Sequence, residues 1–286
     1  MWLNVLLISC ATITVVRGNC SPCGPMPKHY EELGCVGKYI DGPCCPERYE
    51  CPDLFTYDTN FCHLNGKTYQ KGEIVSKADS PPCREDCICA DSGNGDLKFI
   101  CPVKECPEMF HDPEVDCVHK YSLDSCCSVN KICGMEIRDL PKCRFRGETY
   151  NYGEKFVPQN HYAACHHCIC DENFDNSTAI EDNKNCKKVE CGLKLRYFDE
   201  LKSGCVPIYF RDTKCCPIGF RCPSANDVIL PIEGLPEITS VKENSLCKFG
   251  SLMMQRGQSI ATDEKCLECT CRHPPMIECI RVEDCV

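Results

Sequence analysis

The chain has 286 residues, of which 33 are cysteine, and it carries a formal net charge of −10 at pH 7. This cysteine fraction exceeds the roughly 8–10% that marks a disulfide scaffold, so several small cross-linked units are expected rather than one large hydrophobic core. The acidic balance, with no basic run longer than pairs such as Lys187-Lys188, argues against nucleic-acid binding and strong heparin binding.

Residues 1–18 are predicted to be a secretory signal peptide. Trp2 to Val16 form an apolar run with the length of an h-region, and Gly18 places a small residue before a cleavage site, although no Lys or Arg precedes the run. A transmembrane anchor is disfavoured because the run is shorter than the ~20 residues that a span needs. Cleavage would remove Cys10 and leave an even number of cysteines, as complete pairing requires. We therefore expect a secreted, extracellular protein that is not inserted in a membrane.

An internal repeat organises the remaining chain. Ten cysteines occur in the same order in two segments, each with a C-x-C, a C-x4-C, an adjacent Cys-Cys pair and a last cysteine five residues later. A C-terminal segment repeats the first six positions, and an N-terminal segment repeats the last four. We call these segments the N-terminal partial copy (19–52), the first copy (62–133), the second copy (143–222) and the C-terminal partial copy (247–286).

Residues 223–246 contain no cysteine and three prolines, and they are predicted to be a semi-extended linker. The alternative is a strand at Val228-Ile229-Leu230 that docks on a partner.

Other residues follow the same repeat. The segments CHLNGKTYQKGE from Cys62 and CRFRGETYNYGE from Cys143 place Gly, Tyr, Gly and Glu at the same offsets. The third, CKFGSLMMQRGQ from Cys247, keeps only Gly257 and has Met254 in place of the Tyr. Each segment predicts strand, turn and strand, and 97–100 and 276–282 also predict strands. No amphipathic helix is expected after the signal. The predicted fold class is small, disulfide-rich and mostly β, with long loops.

The cysteine order, together with G-x2-Y-x2-G-E after the first cysteine, resembles the von Willebrand factor type C module, which also occurs in chordin-like proteins. The resemblance covers nearly all of the chain after the signal. It implies tandem modules, each with a small sheet lobe followed by a lobe that is largely loop. Because the linkers contain few large hydrophobic residues and the modules are small, we expect few apolar contacts between modules and an elongated protein. One departure is that five residues, rather than two, follow the adjacent cysteine pair, as in CCSVNKIC from Cys126.

The resemblance also implies the disulfide pairing. In the first copy it gives Cys62–Cys89, Cys83–Cys126, Cys87–Cys101, Cys106–Cys127 and Cys117–Cys133. In the second copy it gives Cys143–Cys170, Cys165–Cys215, Cys168–Cys186, Cys191–Cys216 and Cys205–Cys222. In the partial copies it gives Cys23–Cys45, Cys35–Cys51, Cys247–Cys271 and Cys269–Cys279.

Cys44, Cys266 and Cys285 lose their usual partners because the partial copies are incomplete, and Cys20 does not occupy a regular position of the repeat. We expect each half to close on itself through Cys20–Cys44 and Cys266–Cys285, since local closure costs less chain entropy. The alternative is that the two ends of the chain meet and complete one split module, with Cys266–Cys44 and Cys285–Cys45 bonds.

Three motifs suggest chemistry. The run CHHCIC places His166 and His167 at metal-ligand spacing, but its cysteines align with disulfide positions of the other copies, so no metal or other cofactor is expected. The C-x-x-C units are interpreted as structural for the same reason. Asn176-Ser177-Thr178 is an N-glycosylation sequon in a polar loop. No catalytic fingerprint is present, and we predict that the protein is not an enzyme.

Three functions remain open. The resemblance implies an extracellular binding protein that modulates growth factors of the bone-morphogenetic-protein and TGF-β superfamily, and several modules could raise avidity for such a dimer. The second is a structural or adhesive matrix component, and the third is a secreted protease inhibitor or defence protein. The expected partner is an extracellular protein, either a superfamily dimer or a matrix protein.

Overall fold

The computed structural model describes residues 26–39, 45–53, 58–93, 95–110, 112, 114–158, 165–211, 215–232, 234, 242–264 and 266–282. Short strands dominate these residues, as the cysteine-rich composition predicts for a small β fold. The expectation of no helix is wrong, because three short helices are present. No helix in the described part of the chain is long and apolar enough to cross a membrane.

The first copy begins with a hairpin and continues with a second one. Asn65 and Gly66 both have positive φ, 50° and 78°, which suits the two-residue turn that closes the first hairpin. The strand predicted at 97–100 is present. The strands are β3 (Cys62–Leu64), β4 (Lys67–Tyr69), β5 (Ile88–Asp91), β6 (Leu97–Ile100), β7 (Cys117–Lys120) and β8 (Asn130–Cys133), paired β3–β4, β5–β6 and β7–β8.

The second copy repeats the opening hairpin but adds helices in its second half. Its first half contains β9 (Lys142–Phe145), β10 (Glu148–Asn151), β11 (Lys155–Phe156), β12 (His166–Ile169) and β13 (Cys186–Lys188). Its second half contains α2 (Leu193–Arg196), α3 (Phe198–Lys202), β14 (Val206–Phe210) and β15 (Gly219–Arg221). The N-terminal partial copy contributes α1 (Lys28–Leu33), β1 (Val36–Lys38) and β2 (Arg48–Glu50).

A six-stranded sheet unites the second copy, the linker and the C-terminal partial copy. The last described strand, β21 (Met276–Arg281), pairs parallel to β14, with Tyr209 opposite Ile280. The linker supplies an edge strand, β16 (Val228–Ile229), because Ile229 pairs antiparallel with Ile260. The strand order is β15-β14-β21-β20-β19-β16, with β16 (Val228–Ile229), β19 (Ser259–Ala261), β20 (Leu267–His273) and β21 (Met276–Arg281), while β17 (Cys247–Phe249) and β18 (Leu252–Met254) form a separate hairpin.

These pairings correct two predictions. The linker is not only a spacer, because a strand forms at Val228–Ile229, although its partner belongs to the same chain. The elongated row of modules joined by linkers is also wrong for the described residues, because buried side chains of different copies share cores. Leu195 of the second copy joins the first copy's core, and Leu201 joins the core of the N-terminal partial copy. Val206 and Ile208 join the core of the C-terminal partial copy. The apolar surface that small units cannot bury alone is buried between copies.

Candidate functional site

The described residues contain twelve disulfides, and each joins a pair that the resemblance implied. They stabilise the short strands because they restrict the unfolded chain. In the first copy they are Cys62–Cys89, Cys83–Cys126, Cys87–Cys101, Cys106–Cys127 and Cys117–Cys133. In the second copy they are Cys143–Cys170, Cys168–Cys186, Cys191–Cys216 and Cys205–Cys222. In the partial copies they are Cys35–Cys51, Cys247–Cys271 and Cys269–Cys279.

Cys165 and Cys215 differ from their prediction. The structure brings the two sulfur atoms into hydrogen-bond contact but leaves both residues as thiols, so the predicted disulfide is not formed. The contact with Cys215 lowers the pKa of Cys165, while the contact and burial together raise the pKa of Cys215. The first copy differs here, because its equivalent pair, Cys83 and Cys126, is bonded.

Three predicted pairs reach outside the described residues: Cys20–Cys44, Cys23–Cys45 and Cys266–Cys285. Cys45 itself is disulfide-bonded.

The described parts of the two partial copies contact each other in the structure. The Tyr30 hydroxyl donates to the His273 carbonyl oxygen at 2.5 Å and accepts from the Met276 N–H at 3.0 Å. The Tyr49 N–H donates to the Pro274 carbonyl oxygen at 2.7 Å, and the Tyr30 and Tyr49 rings stack with centroids 4.2 Å apart. The two partial copies thus contact each other directly, as the split-module alternative required.

The N-terminal partial copy also binds the second copy. His29 Nδ1 lies 2.6 Å from the Tyr209 hydroxyl, and both residues are fully buried. The Glu32 carboxylate accepts hydrogen bonds from the N–H groups of Cys191 and Leu193 at 2.5 and 3.0 Å. The Leu193 N–H is the first of helix α2 and the Cys191 N–H lies just before it, so a residue far away in sequence supplies an acceptor that the start of the helix lacks. The second half of the second copy therefore contacts both partial copies: the N-terminal one through these hydrogen bonds and the C-terminal one through the six-stranded sheet.

The junction between the first and second copies is close and polar. The Tyr121 N–H donates to the Gly153 carbonyl oxygen at 2.8 Å, and Lys187 pairs with Asp124 at 2.8 Å. His167 is 9% exposed, and its Nε2 lies 3.3 Å from the Leu123 carbonyl oxygen. Burial is the main cause that lowers the pKa of His167. His167 therefore serves as a packing residue of this junction.

Metal-binding geometry is limited to cysteines that are already bonded. Among the described residues, two groups hold metal-ligand atoms close together, and each contains a disulfide pair, Cys106–Cys127 or Cys117–Cys133. A cysteine in a disulfide is not the thiolate that a metal requires. His166 and His167 are successive residues of β12, where side chains alternate between faces, and neither belongs to these groups.

The sequon lies in an ordered polar loop. Asn176 is exposed, and the Asp175 carboxylate accepts hydrogen bonds from the Ser177 N–H and hydroxyl and from the Thr178 hydroxyl. These donors lower the pKa of Asp175 to about 2. The exposed position is what a glycan at Asn176 would need, and its presence stays a prediction.

The second half of the first copy exposes its apolar side chains. Among the described residues between 102 and 142, Cys106 is the only buried one. Met109 is 77% exposed and Phe110 is 65% exposed. We call this the exposed lobe, and its large exposed apolar residues are Val103, Met109, Phe110, Val115, Val129 and Met135. The equivalent halves of the second copy and of the N-terminal partial copy are covered by other parts of the chain. Sequence analysis did not identify this lobe, although Met109-Phe110 outside any predicted strand was an available signal.

A second feature is a cavity of 240 Å³ between the first copy and helices α2 and α3. Its apolar lining comes from Leu64 and Phe99 of the first copy and Leu201 of the second. The ion pairs Lys98–Asp199 and Lys202–Asp96 join the two copies beside it. The repeat pattern could not predict this cavity, because helices α2 and α3 have no counterpart in the first copy.

No protein-family model matches the chain, and no solved structure matches it significantly. The similarity to the von Willebrand factor type C module therefore stays a prediction that rests on the cysteine order and the Gly/Tyr/Gly/Glu pattern.

Proposed function

We propose that the chain is a secreted extracellular binding protein built of von Willebrand factor type C-like modules. Its partner is a growth-factor dimer of the bone-morphogenetic-protein and TGF-β superfamily, and binding modulates the access of that dimer to receptors. Extensive disulfides support the extracellular setting, since they persist in oxidising compartments. The partner class follows from the resemblance.

The observation that carries a binding role is the exposed lobe. Disulfides Cys106–Cys127 and Cys117–Cys133 cross-link it, so its apolar side chains are held in place rather than collapsed into a core. Exposed apolar side chains on a rigid surface are typical of protein interaction sites. Other parts of the chain cover the equivalent halves of the second copy and of the N-terminal partial copy. Among these halves, the exposed lobe is therefore the one whose apolar residues are accessible to an outside partner.

The test is surface plasmon resonance of the secreted protein against immobilised superfamily dimers, with matrix proteins as a parallel arm. The Phe110→Ser variant is expected to bind the dimer at least about tenfold more weakly, since an apolar anchor contributes roughly 1.5–3 kcal/mol. The matched control is Ile218→Ser, which changes a 51% exposed side chain of the second copy. Equal binding by wild type and Phe110→Ser would exclude the exposed lobe. Binding to matrix proteins alone would replace the growth-factor role with a matrix role.

A further inference from the structure

Among the described residues that line the cavity between the first copy and helices α2 and α3, one cation has no ion-pair partner. Lys194 of α2 is half-buried, and among the described residues it makes no ion pair or hydrogen bond. The other lysines of the lining are paired: Lys67 with Asp79 at 2.6 Å, Lys98 with Asp199, and Lys202 with Asp96. Water solvates a half-buried ammonium group less well than an exposed one. Binding an anion to this group is therefore favourable.

Nearby carboxylates do not supply that anion. Glu32 lies close enough to raise the pKa of Lys194, but its two oxygens already accept from two N–H groups at the start of α2. Burial is the larger influence and lowers the pKa of Lys194. Asp58 also lines the cavity, and its Oδ1 accepts from the Asn60 N–H at 3.0 Å. Three of the four lysines of the lining are neutralised by Asp79, Asp96 and Asp199, so Lys194 is the lysine of the described lining whose charge no ion pair balances.

Part of the remaining wall is apolar and buried. Leu64, Phe99 and Leu201 are each less than 10% exposed, so the wall they form is not part of the outer surface. The volume of 240 Å³ is just below the roughly 300–1,000 Å³ typical of drug-sized ligand sites. The size and the internal wall favour a small molecule over the side of a folded protein.

We propose that this cavity binds a small monocarboxylate with an apolar tail, with the tail against Leu64, Phe99 and Leu201 and the carboxylate on the Lys194 ammonium group. This site is separate from the exposed lobe, so growth-factor binding and carboxylate binding can fail independently. A ligand here would touch both copies at once and would stabilise their contact by binding only the assembled form.

The experiment is isothermal titration calorimetry of the full secreted protein with octanoate, octanol and octylammonium as probes. Octanoate is expected to bind saturably at one site and about tenfold more tightly than octanol, since only octanoate places an anion on the Lys194 ammonium group. Octylammonium is expected to bind most weakly, because Lys194 repels it.

Variants separate the charge from the cavity. Lys194→Gln should weaken octanoate binding about tenfold, to the level of octanol, and leave octanol binding unchanged. Lys194→Arg should restore most of the octanoate affinity. The control is Lys71→Gln, which removes a 67% exposed lysine outside the cavity. Absence of saturable octanoate binding, equal affinity for octanoate and octanol, or unchanged octanoate binding by Lys194→Gln would each overturn the proposal.

Discussion

The repeated Gly-Glu pair has a defined structural role at each of its positions. In the first copy, Gly72 has φ of 89°, and the Glu73 carboxylate accepts from the Gln70 N–H at 2.6 Å. In the C-terminal partial copy Gln258 replaces the glutamate, and its Oε1 accepts from the Gln255 N–H at 2.7 Å. The motif therefore selects an acceptor that closes the turn rather than a negative charge, which explains why glutamine is tolerated there.

Gly153 is under a second constraint that its counterpart Gly72 lacks. A Cβ at Gly153 would lie 2.9 Å from the Lys120 Cα of the first copy, whereas a Cβ at Gly72 would meet nothing within 4 Å. Both have positive φ, so alanine strains both. We expect Gly153→Ala to lower the free energy of unfolding by roughly 1–3 kcal/mol more than Gly72→Ala, because only Gly153→Ala overpacks the junction.

Chemical denaturation of the two variants with disulfides intact measures this difference. If Gly153→Ala and Gly72→Ala lowered the free energy of unfolding equally, the close approach of Gly153 to Lys120 would not contribute to stability.

At the scale of elements, strand β12 carries His167, a buried histidine of the junction between the first and second copies. Burial lowers the pKa of His167 in the folded chain. In the unfolded chain His167 is protonated as the pH falls through ~6.5, whereas in the folded chain protonation requires a lower pH. The stability contributed by neutral His167 is therefore present above that pH and is lost as the pH falls toward the lowered folded pKa.

We expect acidification from pH 7 to pH 5 to loosen the junction. Hydrogen exchange at the Tyr121 amide, which donates to the Gly153 carbonyl oxygen, reports it locally. His167→Gln should make that exchange less pH-dependent, while His63→Gln, on β3 away from the junction, should leave it as in wild type. If the wild-type Tyr121 amide exchange rate changed between pH 7 and 5 only as much as that of an unstructured amide, protonation of His167 would not loosen the junction.

Local elements were predictable and their packing was not. The hairpin at Cys62–Tyr69 is set by residues adjacent in sequence, with Asn65-Gly66 at the turn, so pattern alone located it. Glu32 binds the start of α2 from the other end of the chain, and no repeat or period signals such a contact. Short α2 also escaped prediction, because four residues cannot show a helical period.

The whole molecule is organised around the second half of the second copy. Its Leu195, Leu201 and Ile208 enter three different cores, belonging to the first copy and to the two partial copies. The chain thus uses one small disulfide-linked half as a shared packing surface, and disulfides hold each half while apolar contacts hold the halves together. The exposed lobe and the Lys194 cavity lie on the first copy and at its contact with this shared half.

The contact between the two partial copies centres on Tyr30, which is 1% exposed and hydrogen-bonds to His273 and Met276 on either side of the turn between β20 and β21. Tyr30→Ala removes a buried ring and these hydrogen bonds, a loss of about 3–5 kcal/mol for a large aromatic residue. Because Cys35–Cys51 still holds the N-terminal partial copy together, we expect this copy to detach rather than the whole protein to unfold. Small-angle scattering should show a larger radius of gyration, and proteolysis should cut faster between 52 and 61.

Tyr30→Phe keeps the ring and should show a smaller change, and Tyr39→Ala, at a 51% exposed position of the same copy, should behave as wild type. An unchanged radius of gyration for Tyr30→Ala would show that the two partial copies are held together by contacts other than the Tyr30 side chain.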